Sequence, residues 1–200
     1  MQDGNSVANE NIYVIGDNKE NTIIDGTGDT ENPGLFFRHN QDSHFELSEF
    51  TIQNFSNGSG IFVEDNPGTS FNFNNLIIQD NSNLYNGAGF GAHLQDDIIL
   101  ENCIIRNNSA QAYGGGIFFD DGSAEILNCE ISNNSSSSYG GGIHMMNASS
   151  GNITNTFISD NDANEYGGGI YSNSSNVILR LIWVRDNKKC PRGNYLHLTF

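Results

Sequence analysis

Three pairs of adjacent acidic residues are the side chains of this sequence best suited to chemistry. They are Glu64-Asp65, Asp96-Asp97 and Asp120-Asp121. Neighbouring carboxylates can act as the general acid and the water-activating base of a glycosidase, and clustered carboxylates are also ligands that Ca²⁺ prefers. Charged turns on the surface of a soluble β protein have the same composition. The pairs therefore leave three interpretations open: a catalytic site using Asp96, Asp97, Asp120 and Asp121, a weak Ca²⁺ site, or solvated acidic turns.

A second candidate site is a series of mostly aromatic residues at recurring intervals, each directly after an aliphatic or aromatic residue. The series consists of Phe36, Phe62, Gly91, Phe118, His144 and Tyr171. If these positions face outward on one sheet, we expect a ribbon of rings that can stack on sugars or pack against a partner. The alternative is that loops cover the series, or that the rings stack only on one another. The candidate binding residues are Phe36, Phe62, Phe118, His144 and Tyr171.

The elements that must position these side chains are indicated by a glycine-rich repeat. Glycine triplets at residues 114–116, 140–142 and 167–169 are each followed by isoleucine, and they begin 26 and 27 residues apart. Imperfect copies precede them at residues 87–90, 58–61 and 34–35. A repeat of this length is one supersecondary unit that stacks on its neighbours.

A second signature has the same period and supplies the interior of the unit. Its central aliphatic positions are Ile52, Ile78, Ile105, Ile131, Ile158 and Val184. Five residues before them lies another apolar series: Leu47, Phe73, Leu100, Ile126, Ile153 and Leu179. Alternating apolar positions of this kind are typical of strands with one buried face.

Asparagines follow the second signature by three residues in nearly every copy. They are Asn81, Asn108, Asn134, Asn161 and Asn187, with Phe55 in the first copy. Asparagine tolerates a left-handed backbone, which suits a sharp bend. Stacked asparagines can also hydrogen-bond to one another. We therefore expect a structural asparagine ladder at one bend.

The predicted fold is all-β. A unit of 26 residues has room for about three short strands and no crossover helix. Coiling the chain so that each strand pairs one rung away gives a right-handed parallel β-helix, a solenoid of about seven rungs of 26–27 residues. We expect a single domain over residues 1–200, with an N-terminal rung at 1–33, regular repeats at 34–187 and an irregular tail or truncated rung at 188–200.

The two motifs resemble those of right-handed parallel β-helix repeat proteins of the pectin-lyase-like superfold. Among these, the chain is most similar to the repeats of chlamydial polymorphic outer membrane proteins, which pair a Gly-Gly-Ala/Gly-Ile motif with a Phe-x-x-Asn motif. Here the second motif occurs as residues 105–108, 131–134 and 158–161, with isoleucine in place of phenylalanine. The resemblance implies the β-helix fold and a protein of the bacterial surface type.

Enzymes with this superfold suggest an alternative function. Gln95-Asp96-Asp97 resembles a motif of polygalacturonases, but that family's Asn-Thr-Asp, Gly-His-Gly and Arg-Ile-Lys motifs are missing. Pectate lyases combine acidic Ca²⁺ ligands with a basic residue, and the sequence offers no convincing base. The alternative function is therefore a polysaccharide lyase or a glycoside hydrolase. The missing motifs favour a protein without catalysis.

Composition limits the partners. The formal net charge is −16, which argues against nucleic acid and against anionic membrane surfaces. No apolar run is long enough for a transmembrane segment, and the first residues do not look like a signal peptide. Cys103 and Cys129 share one inward column and are expected to be buried and reduced, and Cys190 to be free.

The sequence therefore predicts the repeat stalk or passenger region of a secreted or cell-surface protein. Its function would be adhesion, with a polysaccharide or a host or matrix protein surface as partner and no required cofactor. The regular rungs support this prediction, because enzymes on such a scaffold usually interrupt the repeat with long loops that wall a cleft. The longest excursion here lies around residues 81–89.

Overall fold

A computed structural model describes residues 11–147, 149–173, 176–189 and 197–199. These residues form a right-handed parallel β-helix and contain no helix. The strands pair in parallel with their counterparts one repeat away, as the repeat predicts. They make about six turns where the sequence predicts about seven. Two strands precede the first glycine-motif strand, and one strand is described after residue 189.

The largest sheet has twelve strands and two parts, which are joined by the long strands β10, Phe90–Glu101, and β13, Ile117–Leu127. We call the part that follows the glycine motifs the glycine face. It contains β3 Leu35–Arg38, β6 Ile61–Glu64, the first halves of β10 Phe90–Glu101 and β13 Ile117–Leu127, β16 Ile143–Met146, β20 Ile170–Asn173 and β24 His197–Thr199. The other part contains β1 Asn11–Ile15, β4 His44–Ser48, β7 Ser70–Asn74, the second halves of β10 and β13, β17 Ser150–Thr154 and β21 Asn176–Arg180.

Two further sheets complete each turn of the solenoid. The seven-stranded sheet holds the second signature and consists of β2 Ile23–Asp25, β5 Thr51–Gln53, β8 Ile77–Gln79, β11 Ile104–Arg106, β14 Glu130–Ser132, β18 Phe157–Ser159 and β22 Trp183–Arg185. The five-stranded sheet consists of β9 Ser82–Asn83, β12 Ser109–Ala110, β15 Ser135–Ser136, β19 Asp162–Ala163 and β23 Lys188–Lys189.

Equivalent apolar residues of successive rungs pair directly, so the predicted register is confirmed. Ile105 pairs with Ile78 on one side and Ile131 on the other. Leu100 likewise lies between Phe73 and Ile126. All six side chains are buried in the core. The core thus consists of columns of like residues stacked along the axis, which keeps one rung's shape compatible with the next.

The asparagine ladder lies inside one bend. Asn108 donates from Nδ2 to Asn134 Oδ1 at 3.0 Å, and Asn134 donates in the same way to Asn161 at 3.0 Å. The series continues from Asn81 to Asn108 and from Asn161 to Asn187. Each of these side chains also bonds to the backbone of a neighbouring rung, so the ladder ties successive turns together.

The left-handed residue of this bend is not the ladder asparagine, contrary to the sequence-based prediction. The residue before it has the positive φ, for example 57° at Asn107 and 55° at Asn133. That residue turns the chain, and the following asparagine then points inward, where it binds the backbone. The two properties attributed to one asparagine are therefore divided between two consecutive residues.

Cys103 and Cys129 are buried and free. Their Sγ atoms point to backbone carbonyls, Glu101 O at 3.2 Å and Leu127 O at 3.2 Å respectively. Burial raises the pKa of the Cys103 thiol, which keeps it protonated. The two cysteines therefore pack as small core residues. The third, Cys190, lies outside the described residues.

Candidate binding surface

The predicted outward series lies in register on the glycine face. Phe36 pairs with Phe62, Gly91 with Phe62 and Phe118, and His144 with Phe118 and Tyr171. Exposure along it is uneven: Phe36 is half exposed, whereas Phe118 and His144 are 4% and 2% exposed. The expectation of a continuous solvent-facing ribbon is therefore wrong at Phe118 and His144. Phe62 and Tyr171 are partly buried.

A column of tyrosines packs against one of these buried residues, His144. Tyr113, Tyr139 and Tyr166 directly precede the three glycine triplets. Tyr113 stacks on Tyr139 with ring centroids 5.4 Å apart, and Tyr139 on Tyr166 at 5.6 Å. This column is not among the predicted site residues, although Tyr-Gly-Gly-Gly-Ile occurs three times at the interval of the repeat.

His144 lies in an aromatic cage that the tyrosine column forms together with the neighbouring residues of its own series. Tyr113, Tyr171 and Phe118 meet its ring edge to face, with centroids 4.9, 5.0 and 5.7 Å away. Its Nδ1 is buried without a hydrogen-bond partner. Burial lowers the pKa of His144 to about 4, because the cage offers no counter-charge to an imidazolium.

We expect His144 to make the fold acid-sensitive. In the unfolded chain the imidazole has a pKa of about 6.5, so below that pH the unfolded state binds a proton that the folded state does not. Stability contributed by neutral His144 is therefore complete above pH 6.5 and decreases until the pH reaches about 4. Linkage gives a loss of about 2 kcal/mol between pH 7.5 and pH 5. Urea unfolding at both pH values measures it.

The variant His144→Phe isolates this effect from the titration of other groups. Phenylalanine suits the cage, since Phe118 occupies the same column one rung away. We expect the variant to lose about 2 kcal/mol less than the parent protein between the two pH values. An identical pH dependence in both proteins would contradict the assignment.

The tyrosine column is interrupted beside Gly91, where a cleft of about 390 Å³ lies on the glycine face. Gly91 has no side chain, and the Phe62 ring occupies the space that a side chain would take. A Cβ added at Gly91 would lie 2.6 Å from Phe62 Cδ2. The ring thus turns toward the cleft. The residues lining it are Pro33, Asn57, Gly58, Ser59, Phe62, Asn83, Tyr85, Asn86, His93, Phe118 and Asp120.

The loop between β9 and β10 forms one wall of this cleft. The interval from Gly58 to Gly87 is 29 residues, longer than the 26 or 27 of the later repeats. Asn83 organises the loop, because its Nδ2 donates to Asn86 O at 2.7 Å and to Ser59 Oγ at 3.0 Å, and its Oδ1 accepts from Tyr85 N. The loop holds Tyr85 out from the surface, 72% exposed.

Charged side chains lie at the opposite end of the cleft. His93 lies between two carboxylates, with Nδ1 3.6 Å from Glu64 Oε1 and Nε2 3.7 Å from Asp120 Oδ2. Both separations exceed a good hydrogen bond. Arg38 pairs with Glu64 at 3.3 Å, and Asn147 donates to Asp120 Oδ1 at 2.6 Å. His93 and the outer oxygen of Asp120 therefore keep hydrogen-bonding capacity for a ligand.

The structure separates the acidic pairs. Asp65 pairs with His39 at 3.2 Å, and exposed Asp97 and Asp121 are left-handed bend residues with φ of 55° and 56°. The Asp96 side chain lies outside what the structure describes. Within the described part of the chain, no three His, Cys, Asp or Glu side chains come together as a metal site. The convergence of Glu64, Asp65, Asp97, Asp120 and Asp121 that a Ca²⁺ site needs is therefore not observed.

Asp97 instead lines a second groove, of about 510 Å³, on the other part of the large sheet. This groove crosses several rungs and includes Asn72, whose Oδ1 is buried without a hydrogen-bond partner. Asp120 lines the cleft beside Gly91. Two carboxylates of the catalytic alternative, Asp97 and Asp120, thus line different grooves.

The fold and this surface define a parallel β-helix repeat protein with a largely covered aromatic column and one open cleft. The family model of the Chlamydia polymorphic membrane protein repeat matches residues 102–120 and 128–145. The chain is thus a β-helix repeat protein like the chlamydial polymorphic membrane proteins. No curated protein and no solved structure matched the chain. None of the described segments is a helix that could cross a membrane.

Proposed function

We propose that this chain is an exposed, passenger-type repeat region of a secreted or cell-surface protein, and that it acts in adhesion without catalysis. The matched repeat comes from surface proteins of the outer membrane, which supports the location. The partner would be a polysaccharide or a host or matrix protein surface.

One observation carries the adhesive function: the repeat with the extended loop also holds the open cleft. Elsewhere on the glycine face, the tyrosine column packs against the buried His144, so the rings there contribute to packing. Beside Gly91 the tyrosine column is interrupted. There the exposed Tyr85 lies near the Phe62 ring and the Asn86 side-chain amide. Concave sites with aromatic walls and a few polar groups are the usual form of ligand sites.

Catalysis has less support from the same surface. Glycosidases place two carboxyl groups about 5–10 Å apart on either side of the scissile bond. Here Asp97 and Asp120 line different grooves. The exposed Asp121 follows Asp120 at a left-handed bend and lines neither groove. The lyase and hydrolase alternatives therefore rest on the acidic composition and on the resemblance of Gln95-Asp96-Asp97 to a polygalacturonase motif.

Adhesion predicts saturable binding of the purified rod to immobilised polysaccharides or matrix proteins, with no change in the ligand. We expect no new reducing ends and no unsaturated products from polygalacturonate, with or without Ca²⁺. Biolayer interferometry measures the first property, and reducing-end and ultraviolet assays measure the second. Turnover abolished by Asp97→Ala or Asp120→Ala would instead support the enzymatic alternative.

A further inference from the structure

We infer that the cleft beside Gly91 is a sugar-binding site that takes an uncharged hexose or N-acetylhexosamine unit of a glycan. This inference rests on the proposed adhesive function and gives it a ligand class. The cleft holds about 390 Å³, within the range of about 300–1,000 Å³ common for small-molecule sites.

Aromatic rings supply the apolar contact. Phe62 and the buried Phe118 lie at the base, and Tyr85 projects from the loop at 72% exposure. The C–H groups on one side of a pyranose present an apolar surface, and an aromatic face is its natural partner. An exposed tyrosine needs no rearrangement to meet a sugar that rests on Phe62.

Polar groups around the rings can satisfy sugar hydroxyls, which both donate and accept. In the described structure Asn86 uses its Oδ1 to accept from Tyr113 N, and its Nδ2 donates to no described residue. Ser59 Oγ accepts from Asn83 and can still donate. Asp120 Oδ2 and His93 stand too far apart for a good mutual hydrogen bond, so a ligand hydroxyl can bond to both.

Charge selects among sugars. Asp120 places a carboxylate at one end of the cleft, Glu64 lies next to the His93 ring, and the whole chain carries a net charge of −16. Uronates, sialic acids and sulfated sugars would meet repulsion there, whereas neutral sugars would not. A neutral glycan is therefore the class that fits both the rings and the charge.

An extended peptide fits less well, because the backbone around the cleft is already paired between rungs. Gly60 N donates to Ala88 O, Gly87 N to Tyr113 O and Gly34 N to Ser59 O. A peptide that binds by strand addition requires an open strand edge. In this part of the described structure the edges are occupied by the next turn of the solenoid.

The test uses the whole chain and a panel of neutral, N-acetylated, uronate and sulfated oligosaccharides, with affinities from titration calorimetry. Binding should be confined to neutral members. We expect Tyr85→Ala to weaken it by about tenfold or more. Leu84→Ala is the matched control, since Leu84 is exposed in the same loop but does not line the cleft, and it should bind like the parent. Thermal unfolding of both variants checks that the fold is intact.

Specificity gives a second measurement. Asp120→Asn removes one charge while its amide oxygen can still accept from Asn147, so we expect the preference for neutral over uronate sugars to narrow by about threefold or more. The inference is overturned if no neutral sugar binds, or if Tyr85→Ala binds as well as Leu84→Ala. If the protein still adhered to a matrix protein under those results, the proposed adhesive function would be retained and only the sugar site rejected. Sugar binding without any adhesion would support the sugar site and contradict the adhesive function.

Discussion

Replacing Asn134 with leucine is expected to lower the free energy of unfolding by about 3–4 kcal/mol. Asn134 is 1% exposed and lies in the middle of the asparagine ladder. Its Nδ2 donates to Ile105 O at 2.9 Å and to Asn161 Oδ1 at 3.0 Å, and its Oδ1 accepts from Asn108 N and Asn108 Nδ2, both at 3.0 Å. Leucine has a similar volume but no polar atoms, so it leaves these buried partners unpaired. Each such group costs about 1–3 kcal/mol.

Two variants separate the ladder from a general effect of mutation. Ser135→Ala alters the next residue, whose hydroxyl makes one exposed bond to Ser109, and should change stability by less than about 0.5 kcal/mol. Asn187→Leu makes the same chemical change at the partly exposed end of the ladder. It should cost less than half as much as Asn134→Leu, because water can reach the groups left behind. Equal losses at Asn134 and Asn187, measured by chemical denaturation, would contradict a role for burial.

The ladder shows why so much of this fold can be predicted from the sequence. Every rung pairs with the next at equivalent residues, so aligning the repeats also aligns the strands. The pairing of Ile105 with Ile78 and Ile131 follows directly from their spacing. The number of rungs was less predictable, because the ends of the chain do not carry the motifs that define a rung.

The candidate site was harder to predict, for two physical reasons. The side of a β-strand on which a side chain lies can be predicted from alternation. Its exposure to solvent also depends on which residues of the neighbouring bend pack against it. Phe118 and His144 lie in the predicted outward series yet are buried, and Tyr113 and Tyr139 pack against His144. The cleft escaped prediction for the opposite reason. Asn86 stands where the later repeats have the tyrosine that precedes the glycine motif, and Tyr85 lies in an interval two or three residues longer than theirs, so periodicity does not fix its position.

The first glycine of each triplet should be highly sensitive to a single added methyl group, because it combines a left-handed backbone with close neighbours. Gly140→Ala is expected to cost about 3 kcal/mol in the free energy of unfolding. Gly140 has a φ of 64°, and Gly87, Gly114 and Gly167 have values between 61° and 63° in the equivalent place. A left-handed backbone costs an L-residue other than glycine roughly 1–2 kcal/mol.

Steric conflict adds to this backbone strain. A Cβ at Gly140 would contact the Ile143 carbonyl oxygen and lie 2.8 Å from the Cβ of His144, so the backbone itself would have to move. The same bend sets the tyrosine cover over His144, and its shift should loosen the aromatic cage as well. We therefore expect Gly140→Ala to raise the pKa of His144 from about 4 toward its ordinary value, measured by NMR titration. Ser137→Ala, an exposed change in the same segment, should alter neither stability nor that pKa. A Gly140→Ala protein as stable as the Ser137→Ala control would show that the left-handed bend is not required to close the rung.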